Sequence, residues 1–520
     1  MRMTEFELKF EISSASLQSV AIAMRVGKAK RQRLQARYFD TPGGLLAAQG
    51  IVVRLRKEGR RWVQTAKGPI AGLLERLEHN AVLPPHRAAS LPTLDLSRHR
   101  ATPVGTAIDK ALGLNAGEAG EAGEAYPQLD LLYSTDIWRI TRQLAIGDSM
   151  VEVALDQGRV FTDEQSQAVC ELEIELKQGV PIDAIALARQ WCAAHGLSIS
   201  TIAKSMKGQR LRSNLAAADA TSATLPRFSR HASSAGMLSV VVQTCLSQIL
   251  PNMSELASGS NRAGHIHQLR VGIRKLRTAL RELGHLAEER SAIDPAWTAA
   301  LLQVFRALGE QRDHSYLALV LQPELLAAGG PHMRFNDAGS PVFDAGSAVR
   351  RADFQDALLG LLAFAHRLEP TASDEGEGEG EGEGEGAGDG EDLKKAVSQR
   401  LAKLRRGALR VGKKFLTLSD VQQHSVRKRL KRLRYLLEFT TPLFAAPKVQ
   451  RAVAALKPVQ NALGVYNDEL MALQSLRAAV ADDSQAWFGI GWLAARRNSN
   501  AKRCLKEINA FADIKPFWRD

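Results

Sequence analysis

The chain reads as an α+β protein of two domains: an antiparallel β-barrel with charged side chains lining its interior, then an all-α, pseudo-symmetric helical bundle. Three observations carry that reading. Up to about residue 211, charged and apolar residues alternate at period two in short segments separated by Gly, Pro and Asp. From about residue 231 the period becomes that of Leu-, Ala- and Arg-rich helices, and this half repeats a spaced set of His, Arg and Lys residues. At 520 residues the chain is about twice the size at which a single core stops growing, so two domains are expected.

Composition sets the class. A hydrophobic content of 45 % with 24 % charged residues is that of globular protein. Lys+Arg number 69 against Asp+Glu 56, and ten of the acids fall between Asp374 and Asp392, so the rest of the chain is more basic than its net +13. Such a surplus favours polyanionic partners. Cys170, Cys192, Cys245 and Cys504 form no C-x-x-C pair, which speaks against a zinc site or a disulfide framework and for a reducing compartment. The N-terminus alternates charged and apolar residues, unlike a signal peptide. The most apolar stretches, around 358–365 and 486–495, are short of the roughly 20 residues that span a bilayer. A soluble cytoplasmic protein without a membrane partner is therefore expected.

The expected organisation is a strand domain over 1–211, a linker over 212–230 rich in Ala, Ser and Thr with Pro226, and a helical domain over 231–520. The Gly-Glu-Ala repeat at 117–125 reads as a surface loop. The alternating Glu-Gly tract, within an insertion at about 371–392, reads as disordered.

In a strand, residues i, i+2 and i+4 share a face. Glu5, Glu7, Lys9 and Glu11 thus lie opposite Phe6, Leu8, Phe10 and Ile12, and Glu171, Glu173, Glu175 and Lys177 form a second such row. Glu152 and Asp156 make a third. Between them stand Arg54 and Arg56, Lys67, Arg76 with Glu78, and Arg139, and then Lys204 and Lys207 close the domain. One charged strand is usually a solvated sheet face. Many such strands place rows of carboxylates beside rows of cations, and a phosphate chain with bound Mg²⁺ or Mn²⁺ fits between them: carboxylates suit the hard cation, Arg and Lys the phosphate oxygens. Closing the sheet would turn these faces inward.

Glu5-x-Glu7-x-Lys9, Arg54-x-Arg56, Lys67, Arg139, the segment from Glu152 to Asp156, Glu171-x-Glu173-x-Glu175 and Lys204 together resemble the CYTH superfamily, the triphosphate tunnel metalloenzymes, over residues 1–211. The resemblance implies an eight-stranded antiparallel tunnel with flanking helices. Carried over, it makes Glu5, Glu7, Asp156, Glu171, Glu173 and Glu175 metal ligands. It makes Lys9, Arg54, Arg56, Lys67, Arg139 and Lys204 phosphate ligands, with Arg76 and Lys207 as further substrate contacts. Catalysis falls to Glu5, Glu7 and Lys9 together with the other phosphate-binding cations. Arg142 and Lys207 depart from the usual pattern and leave the substrate open among inorganic triphosphate, thiamine triphosphate, RNA or nucleotide triphosphates and adenylyl cyclase chemistry.

In the helical half, His267, Arg270, Arg274 and Arg277 recur as His424, Arg427, Lys431 and Arg434 at the same offsets. At 100° per residue each set spans an arc of about 80°, one cationic stripe, with Leu269, Ile273, Leu276 and Leu280 behind the first. Leu308-Gly309 with Arg312-Asp313 recurs as Leu463-Gly464 with Asn467-Asp468. The Arg312-Asp313 pair also reads as a structural ion pair. Two motifs in the same order argue for a duplicated helical hairpin. They resemble the CHAD domain over about 231–520, which implies a basic groove for inorganic polyphosphate. Nucleic acid is disfavoured as a partner of the protein, because Tyr435 alone supplies a ring adjoining these stripes.

The expected function is metal-dependent hydrolysis of inorganic tripolyphosphate to pyrophosphate and phosphate, beside a polyphosphate-binding domain that localises the enzyme to polyphosphate granules. The rival from another class is a non-catalytic polyphosphate-binding protein.

Overall fold

The computed structural model describes residues 4–70, 74–85, 91–114, 126–286, 292–333, 344–368 and 385–519. The loop at 117–125 and the Glu-Gly tract as far as residue 384 lie outside them. Two compact units result: Met1–Ala220 with Met253–Ser260 and Arg350–Ala363, and Thr221–Asn252 with Asn261–Val349 and Phe364–Asp520.

The first unit is built on β1 (Thr4–Glu11), β2 (Lys30–Asp40), β3 (Val52–Glu58), β4 (Arg61–Pro69), β5 (Glu75–Val82), β6 (Asp130–Ile146), β7 (Ser149–Phe161), β8 (Ser166–Gln178) and the short β9 (Ser198–Ile199). Their order is β5-β4-β3-β2-β6-β7-β8-β1, and β1 also pairs with β5, so eight antiparallel strands close into a barrel with β9 appended to β1. Closure leaves no open edge among the eight. Gly147, at φ 55°, turns β6 into β7 through a two-residue loop, the left-handed conformation such hairpins need.

The alternation expected for β1 holds: Phe6, Leu8 and Phe10 are buried on the outer side. Helices α1 (Ser14–Met24), α2 (Leu45–Ala48), α3 (Pro103–Leu112) and α4 (Pro181–His195) lie outside the barrel, with α4 against β1, β6, β7 and β8 and α3 against β4 and β5. Helix α5 (Lys204–Ser213) packs instead on β6, β7 and β8 at one end of the tunnel. There Gly208 meets Tyr133 so closely that a Cβ would stand 2.1 Å from the ring. Tyr133 stacks on Tyr38 at 4.7 Å, within an apolar cluster of Leu34, Ala36, Ile137, Val160 and Val169. Two stretches from the helical half of the sequence also join this unit: the Ile199 amide donates to Gln355, Arg210 pairs with Glu255, and Arg189 pairs with Asp356. These contacts span large sequence separations, which is why local pattern gives no sign of them.

The remaining helices are α6 (Ser234–Ala257), α7 (Ala263–Glu282), α8 (Pro295–Tyr316), α9 (Gln322–Ala327), α10 (Ala345–Val349), α11 (Ala352–Arg367), α12 (Glu385–Gly412), α13 (Asp420–Phe439), α14 (Ala446–Ala479) and α15 (Ala486–Asp513). The start of α12 at Glu385 makes the last part of the acidic insertion helical. The second unit is all helical. The first copy of the duplicated hairpin is α7 with α8, the second α13 with α14, and the copies meet as α7 on α13 and α8 on α14. Leu269, Ile273, Leu276 and Leu280 are buried, as the stripe geometry requires. Ser419 and Gln422 form a capping box at the start of α13, which sets where its stripe begins.

One correction to the sequence reading concerns α6, which by length and composition could cross a bilayer. Its polar but uncharged residues, Gln243 to Asn252, break the apolar run without lowering mean hydropathy enough, and 56 % of the apolar window is buried, as in a core helix.

Candidate active site

The register of β1, β8, β7 and β6 places the tunnel's charges in rows. One runs Glu11, Glu171, Asp156, Arg139; the next holds Lys9 and Glu173; a third holds Glu7, Glu175 and Glu152. Asp156, Glu171 and Glu173 are buried, and one oxygen of each lies within 4.8 Å of the others. Three cations answer them. Lys204 Nζ lies 2.6 Å from Asp156 and 2.8 Å from Glu173 and also meets Glu171. Arg139 donates two bonds of 2.6 Å to Asp156 and a further one to Glu173. Lys9 Nζ reaches Glu173 at 3.0 Å, Glu171 at 3.4 Å and Glu7 at 3.5 Å.

Burial alone would push these carboxyl groups up. Lys204 first, with Lys9 at Glu171 and Glu173 and Arg139 at Asp156 and Glu173, reverses that and holds all three below the usual carboxylate range. The cations respond in kind: burial opposes the charge of Lys9, Arg139 and Lys204, yet the carboxylates keep each above its ordinary value. Charge separation of this kind survives in a low-dielectric interior only when the partners are this close.

Along the tunnel, Lys67 Nζ sits 2.5 Å from Glu5 and 2.9 Å from Glu78. Glu5 is pushed up to about 8, chiefly by burial, with Glu7 and Glu78 adding to it against Lys67. Glu78 is held low: Lys67 and the hydrogen bond from Glu5 outweigh its burial. Glu175 is raised by burial and, less strongly, by Glu7 and Glu152, although Lys177 lies 2.6 Å away. The predicted acidic set is thus divided between the tight triad and the separate positions of Glu5, Glu7 and Glu175.

Arg54 and Arg56 stand together on β3. Arg56 donates to Glu58 at 2.6 Å, while Arg54 donates to the Tyr38 hydroxyl at 3.4 Å. Burial, then Arg54 and Arg139, lowers Arg56. Burial would raise Tyr38, but Arg54 and then Lys204 and Arg56 draw it down. Two polar atoms here are buried without a hydrogen-bond partner: the Arg54 Nε donor and the Glu171 Oε2 acceptor, the latter 3.5 Å from Lys207 Nζ. An unmet donor among cations suits an anion, and an unmet acceptor in a carboxylate triad suits a cation. Arg76 lies opposite Glu5 and is exposed. Arg142 turns away to donate to the Ala23 carbonyl. Sequence reasoning gave Glu78 no role, although its alternation with Arg76 was the available signal. It missed Tyr38 altogether, since only the register of β2 on β3 sets that hydroxyl at Arg54.

In the helical unit, His267, Arg270 and Arg274 of α7 converge with Arg427 and Lys431 of α13 and with Arg312 of α8. Burial, then Arg274 and Arg427, pushes Lys431 down to about 6. Burial first, then the surrounding cations, lowers His267; burial lowers His424 despite its 2.7 Å bond to Asn467. Arg270 bonds the Phe305 carbonyl at 2.6 Å and stacks on that ring at 4.4 Å. Arg274 Nε and Arg427 Nε are buried without hydrogen-bond partners. Arg277 neighbours Arg306 and Arg281, and Arg434 is engaged by Glu438 and Gln460, so the last member of each stripe stands apart. Arg312 pairs with Asp313 at 3.4 Å, but its shorter contact, 2.9 Å, crosses to Asp468 in the second copy.

Residues 3–208 match the family model of the CYTH domain, and residues 240–477 that of the CHAD domain. Over 179 residues the chain is 27 % identical to a Haemophilus influenzae protein named inorganic triphosphatase, covering 34 % of this chain and 45 % of that one. The chain thus spans less than half the length of this relative. Among solved structures it is similar to a CHAD domain from the plant Ricinus communis, at 20 % identity over 57 % of this chain and 97 % of the other, with a TM-score of 0.40. It is also similar to a Hippeastrum protein described as a candidate adenylyl cyclase with dominant triphosphatase activity, at 16 % identity over 41 % and 96 % of the two chains, with a TM-score of 0.29. The two family matches, on a closed eight-stranded barrel and an all-helical unit with a duplicated hairpin, give the chain a CYTH domain over residues 3–208 followed by a CHAD domain over 240–477.

Proposed function

We propose that the tunnel hydrolyses inorganic tripolyphosphate to pyrophosphate and phosphate with a divalent cation, Mg²⁺ or Mn²⁺, and that the helical groove holds inorganic polyphosphate. The observation that carries this reading is the pair of orphaned buried atoms in one tunnel: Arg54 Nε asks for an anion and Glu171 Oε2 for a cation. Asp156, Glu171 and Glu173, with Glu5, Glu7 and Glu175, would hold the metal. Bound there, it supplies Lewis-acid polarisation of phosphoryl oxygens and a water of lowered pKa.

The chain's own cations do the rest. Lys9, Arg54, Arg56, Lys67, Arg139 and Lys204 grip phosphate oxygens and stabilise the charge that accumulates on the departing pyrophosphate. Substrate would take over contacts that Lys9, Arg139 and Lys204 now make to carboxylates. Lys207 supports Glu171 from behind, and Arg76 lies where it would meet incoming substrate. The stacked Tyr38 and Tyr133 with α5 close one end and keep water from the reacting groups. In the groove, Arg274, Arg427 and Lys431, flanked by His267, Arg270 and His424 and extended by Arg277 and Arg434, suit a flexible run of phosphates. The similarity to a named inorganic triphosphatase supports this substrate over other triphosphates. Four free cysteines accord with a reducing cytoplasm, where polyphosphate granules would be the site of action.

Purified protein with Mg²⁺ or Mn²⁺ should release phosphate from tripolyphosphate, and Glu7→Gln should abolish release. Undiminished turnover in excess chelator, or by the variant, would contradict the assignment.

A further inference from the structure

The outer surface of the barrel carries a feature that tunnel chemistry does not use. Across five neighbouring strands, the register aligns Trp62 of β4, Lys57 of β3, Gln35 of β2, Asp136 of β6 and Arg159 of β7 in one row. With strands about 4.8 Å apart, the row is about 19 Å wide. Two residues along, Arg33 of β2 stands opposite Trp138 of β6. These positions have the parity opposite to Arg54, Arg56, Arg139 and Asp156, so they face away from the tunnel.

Three of the four cation–ring pairs among the first unit's described residues fall on this patch: Arg31 over Trp138 at 4.3 Å, Lys57 over Trp62 at 5.9 Å and Arg159 over Phe161 at 4.9 Å. Trp138 is 44 % exposed, whereas the barrel's Phe6, Phe10, Tyr38 and Tyr133 are buried. Asp136, the acid of the row, is neutralised by a bidentate contact from Arg33 at 2.8 and 2.6 Å. Arg31, Lys57 and Arg159 are exposed, and Arg159 stands opposite Asp136.

A ring that serves only the core is buried, and a cation that serves only solubility needs no ring beneath it. Trp138, exposed on the barrel's outer face, and the half-buried Trp62 and Phe161, each beside a cation, offer stacking and phosphate neutralisation together. Bare polyphosphate uses the cations alone; a single-stranded nucleic acid uses both. We infer that the outer face of β4-β3-β2-β6-β7 is a docking surface for single-stranded nucleic acid, with bases stacked at Trp138 and Trp62 and phosphates at Arg31, Lys57 and Arg159. A sheet of this width has room for two or three stacked bases. Nucleic acid was set aside at the helical stripes for want of rings; here the rings are present.

The test uses the full chain at physiological ionic strength, with labelled oligouridylate or oligodeoxythymidylate of about twelve nucleotides. Long-chain polyphosphate is added in excess to occupy basic sites that recognise phosphate alone. Oligonucleotide binding should persist, Trp138→Ala should weaken it about tenfold, and Trp138→Phe should restore most of it. Arg31→Ala should reduce the salt slope by about one charge. Thermal melting by circular dichroism checks that the variants fold, and quenching of tryptophan fluorescence in the unmodified chain gives a readout independent of them. Binding of either oligonucleotide under these conditions supports the surface, and a preference between them identifies RNA or DNA as the natural strand. Complete displacement by polyphosphate, equal competition by polyglutamate, or unchanged affinity in Trp138→Ala overturns it.

Discussion

Replacing Lys204 by Met tests whether the tunnel's buried charges are a mutually dependent set. Lys9, Arg139 and Lys204 stand against Asp156, Glu171 and Glu173, so the substitution leaves two inner cations for three carboxylates that are at most 8 % exposed. Glu171 would retain Lys9 at 3.4 Å and Lys207 at 3.5 Å, neither as close as Lys204. Removing one partner of a buried pair costs about 3–5 kcal/mol, and the remaining cations put this case near the lower end, about 3 kcal/mol. Because the chain has two units, a single melting curve does not isolate the effect; amide hydrogen exchange of β7 and β8 does. At neutral pH these amides should exchange about a hundredfold faster in Lys204→Met than in the unmodified protein, with little change in α13 and α14. Equal protection in β8 would refute the dependence of the triad on Lys204.

Three further outcomes follow from the geometry. Gly208→Ala should destabilise the first unit by about 1–3 kcal/mol and loosen α5, seen as lost protection in that helix, because its Cβ would overlap Tyr133. His99, pushed down to about 4 by burial and then by His79, binds its proton less readily folded than unfolded, where about 6.5 is ordinary. The stability of the first unit should therefore fall as pH drops from about 6.5 to 4, by up to about 1.4 kcal/mol per unit, and urea titrations of His99→Asn should show a shallower decline. Lys431, lowered to about 6, should take up a proton when a phosphate chain binds, so affinity should fall by up to about tenfold per unit from pH 6 to 8. Calorimetry in buffers of different ionisation enthalpy should detect that proton, and Lys431→Met should lack it.

Much of the site was legible because strand and helix periods are local. The alternation in residues 5–11 and 171–177 assigns each charge to a face without knowledge of its neighbours, and offsets of three, seven and ten do the same for each helical stripe. Which charges meet was not legible. Glu171 and Glu175 share a face of β8, yet register sets one beside Asp156 and the other between Glu7 and Glu152, where burial and, less strongly, repulsion raise it. Likewise Arg312 reads as the partner of adjacent Asp313 but makes its shorter contact with Asp468, 156 residues away.

By itself the sequence determined two domains, a charged barrel interior, the duplicated helical hairpin and its cationic stripes, because periodicity and charge are properties of short segments. The tertiary structure decided the rest. The register of β7 on β8 grouped Asp156, Glu171 and Glu173, that of β2 on β3 brought Tyr38 to Arg54, and that of β6 on β2 set Trp138 on the outer face, where it is exposed. Each of these depends on strand register, and a register shift of a single residue would turn every side chain of a strand to the opposite face.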